Sequence, residues 1–240
     1  SDYRFAQKIV SSFSEIRERV IDKDNNVHLL RFLAKSGYGV RLSDLHYPVF
    51  TDSGNWLDSY KNLYLPNGLG KEFASQNWVG DDWLNFVDSS YFEIDHDVLK
   101  VFFESQGIVR VGEMDLFQEF ISNDLYLASI AEQIEDKDTN ISFYRFLSSH
   151  FGSLKYKFTP NMRRTLTLYA TDGDIEVLVP IAAYVYFKSD YWEEVIKNKW
   201  LPKELCLVLS SCYGTDSAEG DDIISYFKTL SLAYMFTAPS

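Results

Sequence analysis

The side chains that come closest to a recognisable chemical site lie in a short acidic stretch that occurs twice. Asp22, Asp24 and Asn26 have the spacing of the first three ligands of an EF-hand calcium loop. The same spacing returns at Asp136, Asp138 and Asn140. An EF-hand also needs glycine at the sixth position and a bidentate glutamate at the twelfth, and both copies have other residues there. We therefore expect these side chains to cap helices.

Other groups that could bind a metal or transfer protons are scattered. The histidines have no partner at helical spacing, so a metal site would need residues from distant segments; they are His28, His46, His96 and His150. Two acidic pairs precede apolar runs, where carboxylates favour the start of a helix; they are Asp81-Asp82 and Asp221-Asp222. We predict no catalytic, cofactor-binding or metal-binding residue.

A catalytic alternative remains open. Asp95, Asp97 or Asp172 could belong to an acidic site assembled between the two halves of the chain. Such a site would suit a nucleotide- or metal-dependent hydrolase, because paired carboxylates act as general acid and base or bind magnesium.

The composition excludes several classes of partner. Of the 240 residues, 46% are hydrophobic and 16% aromatic, which is enough apolar bulk for a core. The formal net charge of −12 disfavours binding to nucleic acid or to an anionic membrane. No apolar run approaches the roughly 18 residues of a membrane span. We expect neither nucleic acid nor a membrane as partner.

The two cysteines indicate a reducing compartment. Cys206 and Cys212 lack the second pair that a zinc site requires, and no signal peptide is recognisable. We expect buried, reduced thiols in a cytoplasmic protein. Because the chain starts at Ser1 without methionine, we also expect it to be a piece of a longer protein.

The acidic stretch is part of a longer repeat. Both copies lead into Arg-Phe-Leu, and a glutamate and a β-branched residue precede both at the same spacing. The matched sets are Glu18, Val20 and Arg31-Phe32-Leu33 in the first copy, and Glu132, Ile134 and Arg145-Phe146-Leu147 in the second. This pattern predicts a tandem duplication with two units, residues 1–112 and 113–240.

Each unit has the same predicted order of elements. Apolar residues at steps of three and four predict helices, over 3–21, 27–36 and 114–133. Alternating apolar residues around turn signals predict a hairpin in each unit, from 47–51 with 63–66 and from 164–170 with 175–179. The hairpin of each unit is followed by a helix that carries Trp78 or Trp200, then by a buried strand and a closing helix. We predict an α/β or α+β protein of two tandem similar units, each a small, mainly antiparallel sheet (hairpin plus strand) flanked by helices.

Three features in this order resemble a known family. The first is a helix over 99–103 followed by Gly107-Ile108-Val109 and the acidic helix start at 113–117. The second is the pair of Arg-Phe-Leu helices, and the third is a hairpin leading to Leu-Tyr-Leu-Pro or Val-Tyr-Phe. Together they resemble the repeat modules that follow the N-terminal GHKL-type ATPase domain in sacsin and related large multidomain proteins.

The resemblance implies a segment of a chaperone-like or regulatory protein whose nucleotide site lies in another domain. The Asp-x-Gly-x-Gly run of a GHKL pocket is absent, and Asn67-Gly68-Leu69-Gly70-Lys71 lacks the first glycine of a Walker loop. The leading hypothesis is a non-catalytic scaffold or interaction module that binds protein or neighbouring domains. A role in bacterial defence is a further alternative. Exposed tryptophans would mark its interaction surface; the candidates are Trp56, Trp78, Trp192 and Trp200.

Overall fold

The structure is a computed structural model that describes most of the chain. It describes residues 2–94, 96–151, 158–183, 185–187, 190–198, 202, 207–214, 221–230 and 233–235. The chain divides into two compact units. Unit 1 comprises residues 1–75 and 80–112, and unit 2 comprises residues 76–79 and 113–240. The predicted division after residue 112 coincides with this one except for residues 76–79, which belong to unit 2.

Unit 1 is built mainly from helices. They are α1 (Asp2–Ser11), α2 (Phe13–Val20), α3 (Lys23–Lys35), α4 (Leu42–Leu45), α5 (Gly68–Ala74) and α6 (His96–Ser105), with a 3₁₀ turn at Ser89–Phe92. The predicted helix over 3–21 is interrupted at Ser12. The Ser11 hydroxyl donates to the carbonyl of Lys8 at 2.9 Å, a local side-chain bond of the kind that competes with helix continuation.

The strands of unit 1 are short. They are β1 (Val49–Phe50), β2 (Trp56–Leu57), β3 (Leu63–Tyr64) and β4 (Asn85–Phe86). β1 pairs with β2 antiparallel, and β3 pairs with β4 parallel. Antiparallel bridging of Thr51 with Val87 connects β1 to β4, and Leu65 bridges Arg110 in the parallel direction beside β3. The order across unit 1 is therefore β2, β1, β4, β3 and Arg110.

The hairpin predicted in unit 1, from 47–51 with 63–66, is wrong in its second strand. β1 turns back into Trp56–Leu57, whereas residues 63–64 pair with β4. The turn closes early because the Thr51 hydroxyl and backbone N–H both bond with Asn55. Unit 1 therefore has one antiparallel and one parallel two-stranded sheet, connected by the isolated bridge between Thr51 and Val87.

Unit 2 contains six helices among its described residues. They are α7 (Glu113–Leu116), α8 (Asp124–Gln133), α9 (Lys137–Phe151), α10 (Pro160–Thr165), α11 (Asp190–Lys197) and α12 (Asp221–Leu230), with a π-helical turn at Phe117–Ile121 and a 3₁₀ turn at Ser211–Tyr213. The predicted helix over 114–133 is interrupted after this π-helical turn. Asn123 restarts it, because its side-chain oxygen accepts from the N–H of Leu125 at 2.9 Å.

Unit 2 has a five-stranded mixed sheet. Its strands are β5 (Thr167–Thr171), β6 (Glu176–Pro180), β7 (Val185–Phe187), β8 (Val208–Leu209) and β9 (Ala233–Met235). The order is β6, β5, β8, β7, β9. β5 pairs antiparallel with β6 and β8, while β7 pairs parallel with β8 and β9. The hairpin predicted over 164–179 is confirmed, but the sheet is mixed because β7 and β9 run parallel to β8.

Candidate functional site

The aspartate that opens each acidic stretch caps a helix. Asp22 Oδ1 accepts from the backbone N–H of Asn25 at 2.9 Å, at the start of α3. Asp136 Oδ1 accepts from the N–H of Thr139 at 2.9 Å, at the start of α9. Hydrogen bonds from the Thr139 backbone and hydroxyl lower the pKa of the Asp136 carboxyl. Capping, the role expected from the sequence, is confirmed for both aspartates. It is wrong for Asn26 and Asn140, which lie inside α3 and α9 and are buried.

The asparagine of the first stretch is buried and hydrogen-bonded on every side. Asn26 is 0% exposed, and its Nδ2 donates to the carbonyls of Val20 at 3.1 Å and Pro48 at 2.7 Å. Its Oδ1 accepts from the Tyr91 hydroxyl at 2.7 Å, and that hydroxyl accepts from the N–H of Phe50 at 3.0 Å. One amide and one phenol thus connect α2, α3, β1 and the turn after β4.

The asparagine of the second stretch makes the corresponding bonds. Asn140 is 0% exposed, and its Nδ2 donates to the carbonyls of Ile134 at 2.8 Å and Thr167 at 3.1 Å. Its Oδ1 accepts from the Tyr213 hydroxyl at 2.5 Å, which accepts in turn from the N–H of Tyr169 at 2.8 Å. We call each set of an asparagine, a tyrosine and their backbone partners an Asn–Tyr lock.

Burial keeps the lock tyrosines protonated. It is the main reason that the pKa of Tyr91 and of Tyr213 lies well above the ordinary value of 10.0. A protonated phenol can donate to the asparagine oxygen while accepting from a backbone N–H, and each lock needs both bonds. The hydroxyls are therefore hydrogen-bonding groups rather than poised bases.

A lysine lies beside the lock in unit 1. Lys23 Nζ is 2.8 Å from Asp88 Oδ1 and 5.0 Å from the ring centroid of Phe50. Burial opposes ionisation of Asp88, but hydrogen bonds from Lys23 and Ser90 outweigh it and lower the pKa of this carboxyl. The contact is an ion pair at the edge of the lock.

Unit 2 has a lysine in the same place with a different carboxylate. Lys137 bonds to Glu176, and its Nζ is 5.7 Å from the ring centroid of Tyr169. The Ser210 hydroxyl, three residues before Tyr213 as Asp88 is before Tyr91, donates to the other oxygen of Glu176. Hydrogen bonds from Lys137, then from Ser210, lower the pKa of Glu176. A neighbouring strand thus supplies the carboxylate.

The acidic residues of the catalytic alternative have ordinary structural positions where they are described. Asp172 Oδ1 accepts from the N–H groups of Asp174 and Ile175, at 2.9 Å each, and so shapes the turn between β5 and β6. Asp97 is exposed in the first turn of α6. Asp95 lies outside the described residues.

The remaining candidate ligands do not converge within the described ranges. Over those ranges no group of three or more His, Cys, Asp or Glu side chains is placed to share a metal ion. Cys212 is a free thiol, and burial is the main reason that its pKa is raised. Cys206 lies outside the described residues. No helix within these ranges combines the length and apolarity of a membrane span.

The four tryptophan candidates do not form one described surface. Trp78 is 1% exposed, so the expectation that it marks an exposed surface is wrong for this residue. It follows the end of α5 rather than lying in a helix, and it packs against aromatic rings of α9. Trp56 is partly exposed in β2. Trp192 lies in α11 with its side chain undescribed, and Trp200 lies outside the described residues.

The glycine-rich run at 67–71 serves packing. Asn67 Oδ1 accepts from the N–H of Gly70 at 3.0 Å and caps α5, while its Nδ2 donates to the Val111 carbonyl at 2.7 Å. A Cβ on Gly70 would lie 2.7 Å from Val111 Cγ1 and 2.9 Å from Phe86 Cε1. The glycine therefore allows α5 to approach its neighbours closely.

No catalytic or binding motif includes the lock tyrosines. Their signal was the recurrence of tyrosine directly after Ser90 and Cys212, at matching places behind β4 and β8. The ion pair between Glu176 and Lys137 had no such signal in the sequence. The corresponding lysine of unit 1, Lys23, pairs with Asp88, which is at a different place in the repeat.

Comparisons with known proteins do not assign the chain to a family. No protein-family model, no curated protein and no solved structure matches it. The resemblance to sacsin-like repeat modules therefore stays a prediction.

Proposed function

We propose that this chain is a non-catalytic scaffold or interaction segment, formed by two copies of one unit, of a larger chaperone-like or regulatory protein of the sacsin type. It would act in the cytoplasm by binding protein, either a partner or neighbouring domains of its own chain. The observation that carries the proposal is the use of both acidic stretches for helix caps and Asn–Tyr locks. The side chains most suggestive of chemistry thus have internal structural partners.

The pairing of strands supports the duplication. In unit 1 the order is β2, β1, β4, β3 and then the bridge to Arg110, and in unit 2 it is β6, β5, β8, β7, β9. The directions agree at each step: two antiparallel pairings, then two parallel ones. The register also agrees, since Tyr64 pairs with Phe86 and Tyr186 pairs with Val208 at the same separation in sequence.

Exposed apolar side chains support an interaction role. On α1, Tyr3 is 50% exposed and Phe5 is 59% exposed, and their rings lie against Tyr38 and Phe32 at centroid distances of 5.2 and 5.6 Å. Aromatic rings grouped at a surface are typical of residues that bind another protein.

The test is a turnover assay paired with partner capture. The purified chain is assayed with ATP and GTP in the presence of magnesium, beside Asp97→Asn, Asp172→Asn and the exposed control Asp24→Asn. We expect no turnover above that of the buffer with any of them. Hydrolysis that Asp97→Asn or Asp172→Asn abolishes and Asp24→Asn retains would contradict the proposal in favour of the hydrolase alternative.

Partner capture tests the positive half of the proposal. A protein captured by the chain is purified, and its Kd is measured against the unaltered chain, Phe5→Ser, and Leu125→Ser as a control at a side chain that is 81% exposed. We expect saturable binding that Phe5→Ser weakens and Leu125→Ser leaves unchanged. Capture that does not reproduce with purified components would count against an interaction role.

A further inference from the structure

One face of α9 is covered by a short segment from an earlier part of the sequence. We call residues 76–79 the tryptophan arm; they follow α5 in the chain but belong to unit 2. The Trp78 ring lies edge-on to Phe143 and Phe146, at centroid distances of 5.0 and 5.6 Å. Phe143 is 0% exposed and Phe146 is 4% exposed. The indole thus closes an aromatic floor on α9.

Two polar contacts hold the arm on the same face. Asn77 Nδ2 donates to Thr139 Oγ1 at 2.8 Å, and the Ser142 hydroxyl donates to Gln76 Oε1 at 3.1 Å. The four contacted residues of α9 therefore provide one acceptor, one donor and an apolar floor.

The corresponding face of α3 in unit 1 is only partly covered. Aligning the two acidic stretches matches Thr139, Ser142, Phe143 and Phe146 with Asn25, His28, Leu29 and Phe32. Asn25 and His28 are exposed, and Leu29 and Phe32 are partly exposed. Phe32 has a ring contact with Phe5, which is itself 59% exposed.

The α3 face retains the chemistry that binds the arm in unit 2. The Asn25 side chain has an oxygen that can accept where Thr139 Oγ1 accepts, and the His28 ring has an N–H that can donate where the Ser142 hydroxyl donates. Leu29 and Phe32 provide an apolar floor. The arm at 76–79 is bound to α9, so it does not cover the α3 face as well.

We propose that this face of α3 binds a tryptophan arm like residues 76–79, supplied by a preceding unit of the same kind in a longer chain. The inference rests on the proposed tandem-unit function and specifies what would cover this face: an indole beside two polar side chains, as Gln76, Asn77 and Trp78 provide in unit 2. The sequence carries a second tryptophan, Trp200, at the place in the second half that Trp78 has in the first.

The test is an NMR titration of the whole isotope-labelled chain with a synthetic peptide of residues 73–82. Without the covalent connection the affinity is low, so the peptide is taken to about 5 mM, where weak binding is measurable. We expect saturable amide shifts that are confined to α3 and to the neighbouring Phe5. The same peptide with Trp78→Ala should bind at least about tenfold more weakly, since the indole provides most of the buried area.

A variant of the receiving face completes the test. Leu29→Asp should abolish the shifts, and Leu125→Asp, at an exposed position in unit 2, should leave them unchanged. The absence of α3 shifts up to the highest concentration, equal binding of the alanine peptide, or shifts only in α9 would each overturn the proposal. Those results are independent of nucleotide turnover, which tests the proposed function itself.

Discussion

At the scale of single residues, the Asn–Tyr lock explains why a chemically suggestive stretch occurs twice. A buried amide is tolerated only when its donors and acceptor are all paired, and both asparagines meet this condition. The spacing Asp-x-x-x-Asn places the aspartate at the helix cap and the asparagine one turn inside, facing the core.

The lock tyrosines should contribute stability through their hydroxyls. Tyr91→Phe leaves Asn26 Oδ1 and the N–H of Phe50 without a partner, and Tyr213→Phe does the same to Asn140 and Tyr169. We expect each change to lower the free energy of unfolding of its unit by about 1–3 kcal/mol, measured by urea denaturation. Tyr38→Phe, at a partly exposed ring, is the control. Losses no larger than that of the control would show that the locks are not structural.

The Glu176 carboxylate should make stability depend on pH. Its pKa in the folded state is below the ordinary value of 4.5, so its contribution is present above pH 4.5 and is lost as the pH falls through the lowered value. Glu176→Gln should therefore flatten the decline of stability as the pH falls below 4.5, measured by denaturation at each pH. Glu132→Gln, at an exposed position on α8, should keep the full decline. Identical profiles for both variants would contradict this account.

At the scale of elements, the helices were more predictable than the strands. The apolar spacing predicted a helix over 27–36, after the first acidic stretch. α3 lies there but begins earlier, at Lys23, because Asp22 caps it, and α9 begins at the corresponding place in the second copy. The hairpin of β5 and β6 was predicted by its Asp-Gly turn. β1 and β2 are only two residues long, too short for alternation to show, so the partner of β1 was mistaken. Local side-chain bonds of Ser11 and Asn123 accompany breaks in helices whose apolar pattern continues, and only the side-chain geometry reveals them.

Close packing of α5 leads to a prediction at this scale. In Gly70→Ala the new Cβ would lie 2.6 Å from Asn67 Oδ1, and it would also press on β4. We expect a loss of about 1–3 kcal/mol in unfolding free energy, measured by chemical denaturation. Gly68→Ala in the same helix meets nothing within 4 Å and should be tolerated. Equal stability of the two variants would refute the packing role.

At the scale of the whole molecule, the order of residues in the chain differs from their grouping in space. The tryptophan arm lies between α5 and β4 in sequence, yet it is counted within unit 2. The repeat indicated a boundary after residue 112, but no sequence pattern distinguished residues 76–79, because a buried indole and an exposed one look alike in sequence. Packing against Phe143 and Phe146 decides between them.

Truncation of the arm should therefore weaken a unit that is remote in sequence. Trp78→Ala removes a fully buried indole and should cost unit 2 about 3–5 kcal/mol. Hydrogen exchange should show lost protection in α9, with β3 and β4 of unit 1 unchanged. Trp83→Ala, a partly exposed ring in unit 1, is the matched control and should leave α9 protected. Loss of protection confined to residues 63–87 in Trp78→Ala would contradict the assignment of the arm to unit 2.

The central claim of this account is that the repeated acidic stretch is a folding device and not a ligand site. The most direct test is thermal unfolding of the whole chain at increasing calcium concentration, beside Asp22→Ala and Asp136→Ala. A site that binds calcium only when folded raises Tm with concentration. We expect Tm to be independent of calcium, and each alanine variant to melt lower by an amount that calcium does not alter, since a cap has been lost. A saturable rise in Tm that both substitutions abolish would contradict the account and identify the stretch as a calcium site.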